Sequence, residues 1–155
     1  MKIELANIFD ANEISQLVGS LLKEIMNAVG DNSFNFDVNE TTARLAKAIE
    51  NEDYFVLVAR EDSGLIVGCL TVYKSFSLYA EGDFGTVAEF YVREQHRSKG
   101  IGHLLFEEAK KFGLKKGWKR LEVTTPPVEK FSRTLKFYEN VGFSVSGGRK
   151  MKVLL

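Results

Sequence analysis

Apolar positions along the chain fall into short alternating runs and longer helical stripes. Residues 2–8 alternate as a half-buried first strand does. Asp10, with Glu13 three positions on, reads as a capping box. Behind it Ile14, Leu17, Val18, Leu21, Leu22, Ile25 and Met26 form one broad apolar stripe that Gly30 ends. Residues 31–38 read as a loop carrying Phe34 and Phe36. Asn39 caps a second helix over 40–51, with Leu45, Ala48 and Ile49 facing inward. Two β-branched runs, 54–60 and 65–79, flank the turn Glu61-Asp62-Ser63-Gly64 and predict a hairpin. A fourth strand spans 84–92.

Ile101, Leu104, Leu105, Ala109 and Phe112 then recur at helical spacing, and Lys115-Lys116-Gly117 stops that helix. A strand over 120–125, a stiff break at Pro126-Pro127 and a helix over 129–140 follow. Two last strands are expected over 143–146 and 150–155. The order β-α-α-β-β-β-α-β-α-β-β combines hairpins with one strand-helix-strand step. That step demands a parallel pair, so the fold class is α/β with a mixed sheet and helices on both faces.

The 155 residues suffice for one domain with its own core, and neither a repeat nor a linker interrupts them, so residues 1–155 are read as a single domain. With 45% hydrophobic and 27% charged residues the composition is that of a globular chain. Lys+Arg and Asp+Glu are both 21, so the basic footprint of non-specific nucleic-acid binding is missing. A single cysteine and two histidines are too few for a Cys/His zinc site, and no metal is expected. The first residues turn acidic early and do not read as a secretion signal. No apolar run approaches the ~20 residues of a membrane span, so neither a membrane partner nor a non-cytoplasmic location is expected.

Chemistry concentrates at residues 87–112. The run V-A-E-F-Y-V leads into R-E-Q-H-R-S-K-G-I-G and then into the helix H-L-L-F-E-E-A-K-K-F. A strand feeding a glycine-bearing turn at a helix start is a ready anion site, because unpaired N–H groups and the positive end of the helix dipole point together. Arg93, Arg97 and Lys99 add mobile positive charge. The loop is not G-x-x-x-x-G-K-[ST], and Leu105 stands where G-x-G-x-x-G needs its third glycine. It does match R-x-x-G-x-G, as Arg97-Ser98-Lys99-Gly100-Ile101-Gly102.

In that motif, in the element order, and in Phe137-Tyr138-Glu139-Asn140-Val141-Gly142-Phe143 at F/L-Y-x-x-x-G-F, the chain resembles the GCN5-related N-acetyltransferase (GNAT) superfamily. The resemblance covers essentially the whole sequence. It implies a splayed strand pair that binds acetyl-coenzyme A, with Arg97, Ser98, Lys99, Gly100, Ile101 and Gly102 around the pyrophosphate. It also implies that Phe90, Tyr91 and Val92 pair with the pantetheine arm through their main chain. Tyr138 would be the general acid at the thioester sulfur, and an amine, on a small molecule or a peptide, the acceptor. Relatives often carry Asn seven residues before the tyrosine and Ala four before it. Here Phe131 and Thr134 stand there, which leaves Ser132 and Arg133 as candidates for the pantetheine contact. The resemblance is also compatible with a homodimer.

The residues themselves leave two roles open. Tyr138 is either that acid or a core tyrosine with its hydroxyl bonded. Glu89, the one carboxylate in residues 87–92, is either the base that deprotonates the amine or a strand residue facing solvent or an arginine. Strand alternation puts Glu89 and Tyr91 on one face, which would then line the cleft. A coenzyme A-binding module without turnover is the alternative to an enzyme. Cys69 reads as a buried structural thiol, Trp118 as packing, and His96 and His103 as exposed. Tyr73, Tyr79, Phe34 and Phe36 are either core or part of an acceptor pocket.

Overall fold

A computed structural model describes residues 1–126 and 129–155; the second proline of the expected Pro126-Pro127 break lies outside the described residues. Two compact units are present, Met1–Thr124 and Thr125–Leu155.

The first unit holds β1 (Lys2–Leu5), α1 (Ala11–Val29), α2 (Val38–Glu50), β2 (Tyr54–Arg60), β3 (Ile66–Ser77), β4 (Gly82–Val92), α3 (Ile101–Lys115) and β5 (Leu121–Val123). The five strands form one sheet in sequence order. β1 through β4 pair antiparallel and β4 pairs with β5 in parallel, as the crossover through α3 requires. Alternation along the strands sorts the core. Val56, Val58, Cys69 and Tyr91 pack with Ile14 and Leu17 of α1 and Leu45 of α2. On the other face Phe90 meets Phe106 of α3 edge-on at 5.0 Å, and Phe55 meets Phe112 at 4.9 Å. The mixed α/β architecture is therefore the one expected.

The first nine elements follow the expected order, with differences at their ends. Asn7, not Asp10, makes the capping box, on a 3-10 turn that precedes α1. The Asp10 carboxylate is drawn away to the Asn7 N–H at 3.0 Å and to Arg60 at 2.8 Å. Glu13 instead accepts the Ile66 N–H at 2.9 Å, tying α1 to β3. α2 is capped by Asp37, whose carboxylate accepts the Glu40 N–H at 2.8 Å, two residues before the expected Asn39. Leu104, placed on the inward stripe of α3, is half exposed.

α3 and the helix of the second unit share one kind of glycine stop. At the end of α3 the Trp118 N–H bonds Gly113 C=O and the Gly117 N–H bonds Leu114 C=O, with Gly117 at φ 76°. In the second unit α4 (Ser132–Asn140) ends likewise. There the Phe143 N–H bonds Tyr138 C=O at 2.9 Å and the Gly142 N–H bonds Glu139 C=O at 3.0 Å, with Gly142 at φ 100°. The two strands expected over 143–146 and 150–155 do not form; Val145, Met151, Val153 and Leu154 are exposed. Alternating residues become a strand only by pairing, and no ladder reaches these segments.

Candidate active site

β4 is paired unevenly. Its parallel ladder with β5 covers only Gly85↔Leu121, Thr86↔Glu122 and Val87↔Val123. Pairing with β3, by contrast, runs on to Gly68↔Val92. From Ala88 to Val92, therefore, one edge of β4 has left its β5 neighbour. The Arg93 N–H bonds Val67 C=O on β3 at 2.8 Å. By alternation Tyr91 also addresses β3, while Phe90 and Val92 direct their main-chain groups toward the β5 side. Of the three positions expected to pair with an extended ligand, Phe90 and Val92 thus face away from β3, the Val92 C=O being held by Arg97 Nε, with Tyr91 between them bonded inward.

A β-bulge lies where the strands part. Leu70 pairs with Phe90 and Val72 with Val87, so Thr71 alone faces both Ala88 and Glu89. The extra residue turns Glu89 toward β2 and β3. Thr71 Oγ1 accepts the Glu89 N–H at 2.8 Å and donates to Glu89 Oε2. The Tyr54 hydroxyl donates to the same Oε2 at 2.5 Å. Burial first, and the Glu89 charge second, raise the Tyr54 phenol far above its ordinary range, so it remains a donor. Glu89 is half-buried, and it pairs with hydroxyls rather than with an arginine. Tyr91 does share its face. That face is covered by α1 at Tyr91, which is 8% exposed and belongs to the core, so it is not an open cleft there.

Beyond β4 the chain makes a 3-10 turn at Glu94–His96, and then Ser98 (φ 61°) and Gly100 (φ 80°) both adopt left-handed conformations before α3 begins at Ile101. A β-carbon at Gly100 would meet nothing within 4 Å, so backbone conformation, not space, calls for glycine there. The first bond within α3 is from the Leu104 N–H to Gly100 C=O at 3.1 Å, and the N-cap glycine itself supplies no side-chain cap. The amides of Ile101 and Gly102 thus stand at the helix mouth without an intrahelical acceptor, in a concave turn that suits an anion. The Ile101 side chain is buried, so only its main chain can serve a ligand.

Two of the three expected mobile cations are tied down. Arg93 donates to Ile66 C=O at 2.8 Å and lies 3.5 Å from Glu13. Arg97 donates through Nε to Val92 C=O at 2.8 Å, and through Nη2 to both oxygens of Glu24 on α1, at 2.8 and 3.0 Å. Its guanidinium also lies 5.2 Å from the centre of the Tyr91 ring, whose hydroxyl donates to Glu24 at 3.0 Å. Lys99, which is exposed, is the one of the three that makes no ion pair among the described residues. Glu24, Tyr54 and Thr71 were not found from the sequence. They lie 73, 35 and 18 positions from the residues they hold, and nothing local marks them.

In the second unit Tyr138 sits on α4 with its ring 6.0 Å from Phe137 and 6.0 Å from Phe143. It is buried, and burial pushes its phenol up to about 12. The helix stop explains the spacing Y-x-x-x-G-F: the tyrosine supplies the carbonyl that closes the turn, the glycine takes the left-handed residue, and the phenylalanine packs back on the tyrosine. Ser132 and Arg133, at the start of α4, are exposed.

Other candidates fall out plainly. Cys69 is fully buried, and burial pushes its thiol up to about 12, with the Glu89 charge adding to the effect. His96 is not exposed: its side chain is 15% accessible and its Nε2 lies 3.1 Å from Glu61. His103 is exposed and Trp118 buried, as expected. Tyr73 stacks on Tyr54 at 5.9 Å, and Tyr79 is largely exposed. Phe34 and Phe36 border a groove of about 610 Å³ beside α1, and Gly19 leaves room for the Phe36 ring. Among the described residues no group of His, Cys, Asp or Glu could hold a metal ion, and no helix is long and apolar enough to cross a membrane.

The frame is thus a five-stranded mixed sheet whose fourth strand pairs with its parallel neighbour only over Gly85–Val87, ahead of a glycine-led helix start. The model of the acetyltransferase (GNAT) domain family matches residues 52–145, and the chain belongs to that family. It is 28% identical over 112 residues to an uncharacterized N-acetyltransferase, YhfO, of Bacillus subtilis (strain 168), covering 72% of this chain and 73% of that protein. Solved structures share the fold. A ribosomal-protein-alanine N-acetyltransferase from Brucella melitensis biovar Abortus 2308 superimposes with a TM-score of 0.74 at 21% identity, over 99% of this chain and 100% of its own. An aminoglycoside acetyltransferase from an uncultured soil metagenomic sample gives 0.76 at 24%, over 99% and 95%.

Proposed function

We propose that residues 1–155 form one N-acetyltransferase domain that moves an acetyl group from acetyl-coenzyme A to a primary amine by direct attack in a ternary complex. The observation that carries this reading is the short parallel ladder of β4 with β5, which ends at Val87, together with the left-handed glycine turn that opens α3 just beyond β4. A bound acetyl-coenzyme A supplies the acetyl group already activated as a thioester. The amides at Ile101 and Gly102, in the loop Arg97–Gly102, fit a pyrophosphate, with Lys99 as the available cation. The main chain of Phe90 and the N–H of Val92, whose C=O is held by Arg97, fit an extended arm alongside Tyr91. Ser132 and Arg133 are the candidates for a further contact to that arm.

An alkylammonium with a pKa of ~10.4 is mostly protonated at neutral pH and cannot attack. Glu89 takes its proton, directly or through water, and the nitrogen lone pair then forms the C–N bond as the C–S bond breaks, the acylated nitrogen releasing its second proton to the departing thiolate through solvent. Tyr138 meets the sulfur. A phenol near 12 is a poorer acid than a thiol of ~8.5. Its contribution is therefore a hydrogen bond to the developing thiolate, with full proton transfer uphill. Tyr138→Phe then lowers turnover roughly 10–1,000-fold without abolishing it. Thiol release in the variant at the wild-type rate removes Tyr138 from the chemistry. A protein amine and an aminoglycoside, the acceptors in the names of the two structural relatives, both belong in the acceptor panel.

A further inference from the structure

Thr71 is 1% exposed yet polar, and the Tyr54 hydroxyl lies 3.2 Å from its Oγ1. Each hydroxyl has one proton, and for each the nearest acceptor is Oε2 of Glu89. Among the described residues, Oε1 of the same carboxylate takes no hydrogen bond. The ring of Tyr54 is fixed in turn by stacking on Tyr73, with the planes 9° apart. Thr71 is fixed by the bulge itself, since its Oγ1 replaces the ladder acceptor that Glu89 loses there.

We propose that Tyr54 and Thr71 are positioning residues for the acetyl-transfer step: their hydroxyls pin Oε2 of Glu89 across the β4 bulge and leave Oε1 as the oxygen that takes the acceptor's proton. This rests on the reading of Glu89 as the base. A carboxylate on a flexible stem samples several rotamers, and a proton acceptor must lie within hydrogen-bond reach of the nitrogen to act. Two donors from two other strands hold one oxygen, so only rotation of the remaining oxygen toward the amine is left to arrange. On the same face of the sheet, by register and alternation, lie Tyr54 on β2, Cys69, Thr71 and Tyr73 on β3, and Tyr91 on β4; no cation pairs with the carboxylate among the described residues.

The test is a mutant cycle, with kcat and KM measured for the amine and for acetyl-coenzyme A. Tyr54→Phe and Thr71→Val each lower kcat about tenfold with KM for acetyl-coenzyme A unchanged, and Thr71→Ser, which restores the hydroxyl, recovers most of the loss. In a Glu89→Gln background neither substitution lowers kcat further, because the base through which they act is gone. Losses that persist in that background overturn the proposal, and so does wild-type kcat in both single variants. Wild-type kcat in Glu89→Gln alone removes the base and the positioning role together. A readout without turnover separates the pinning from the chemistry: the Tyr54 hydroxyl proton should resonate downfield in NMR and shift upfield in Glu89→Gln. If it does not move, the carboxylate is not pinned.

Discussion

Gly85 is where the parallel pairing of β4 and β5 begins, and a single added methyl tests how tightly that junction is built. A β-carbon there would lie 2.5 Å from Leu121 Cδ2 and 2.6 and 2.7 Å from two atoms of the Trp118 ring. The backbone cannot simply withdraw, because the Gly85 N–H bonds Arg120 C=O at 3.1 Å. Overpacking of this kind costs ~1–3 kcal/mol. Replacing glycine recovers ~0.4–1 kcal/mol by restricting the unfolded chain. Gly85→Ala should therefore destabilise by about 1–2 kcal/mol, a fall in Tm of ~2–8 °C for a chain of 155 residues. Urea unfolding followed by tryptophan fluorescence measures it well, since the sole tryptophan lies at the contact. Leu121→Val in the same chain should recover part of the loss, as neighbours that clash are coupled. A variant as stable as wild type, or more stable, refutes the packing argument.

Other substitutions probe the site more directly. Glu24→Gln removes the negative charge that neutralises Arg97, so coenzyme A should bind about two- to tenfold tighter at low salt, by calorimetry. Weaker binding would mean that Glu24 pre-organises the loop instead. Gly142→Ala forces a β-carbon onto a residue at φ 100° and should cost ~1–2 kcal/mol, read as a lower unfolding midpoint; no change would contradict the helix-stop account of Y-x-x-x-G-F. At alkaline pH the buried Tyr138 phenol, at about 12, keeps its proton while an unfolded tyrosine at ~10 loses it. Stability is then full below about pH 10 and falls as pH rises toward 12. Absorbance of tyrosinate should show Tyr54, Tyr91 and Tyr138 ionising late; all five tyrosines ionised by about pH 10 in the folded chain would contradict this.

The order of the first nine elements was legible because each carries its own period, and the α3 stop because Gly117 follows the last turn of the stripe. Cap identity was not. Asp10 and Asn7 are both good caps, and the choice was decided by Arg60, 50 positions away, which draws Asp10 aside. The two last strands were misread because F-S-V-S and K-M-K-V-L-L have strand composition, while a strand needs a partner that composition does not supply. The left-handed turn at Gly100 and the helix stop at Gly142 were legible because local backbone geometry dictates those residues. The bulge at Glu89 was invisible. V-A-E-F-Y-V reads as plain alternation, and only the register against β3 reveals that Thr71 faces two residues. Glu24 escaped for the same reason: on α1 it reads as an ordinary exposed-face acid, and its partner lies 73 positions on.

The central claim is that this chain acetylates an amine, and release of free thiol from acetyl-coenzyme A across an amine panel tests it most directly. The account predicts acceptor-dependent release, reduced roughly 10–1,000-fold by Tyr138→Phe. Coenzyme A bound, but no thiol above background hydrolysis with any amine, would point to a binding module without turnover. No binding of coenzyme A at all would contradict the reading of the β4 edge and the α3 mouth on which everything else rests.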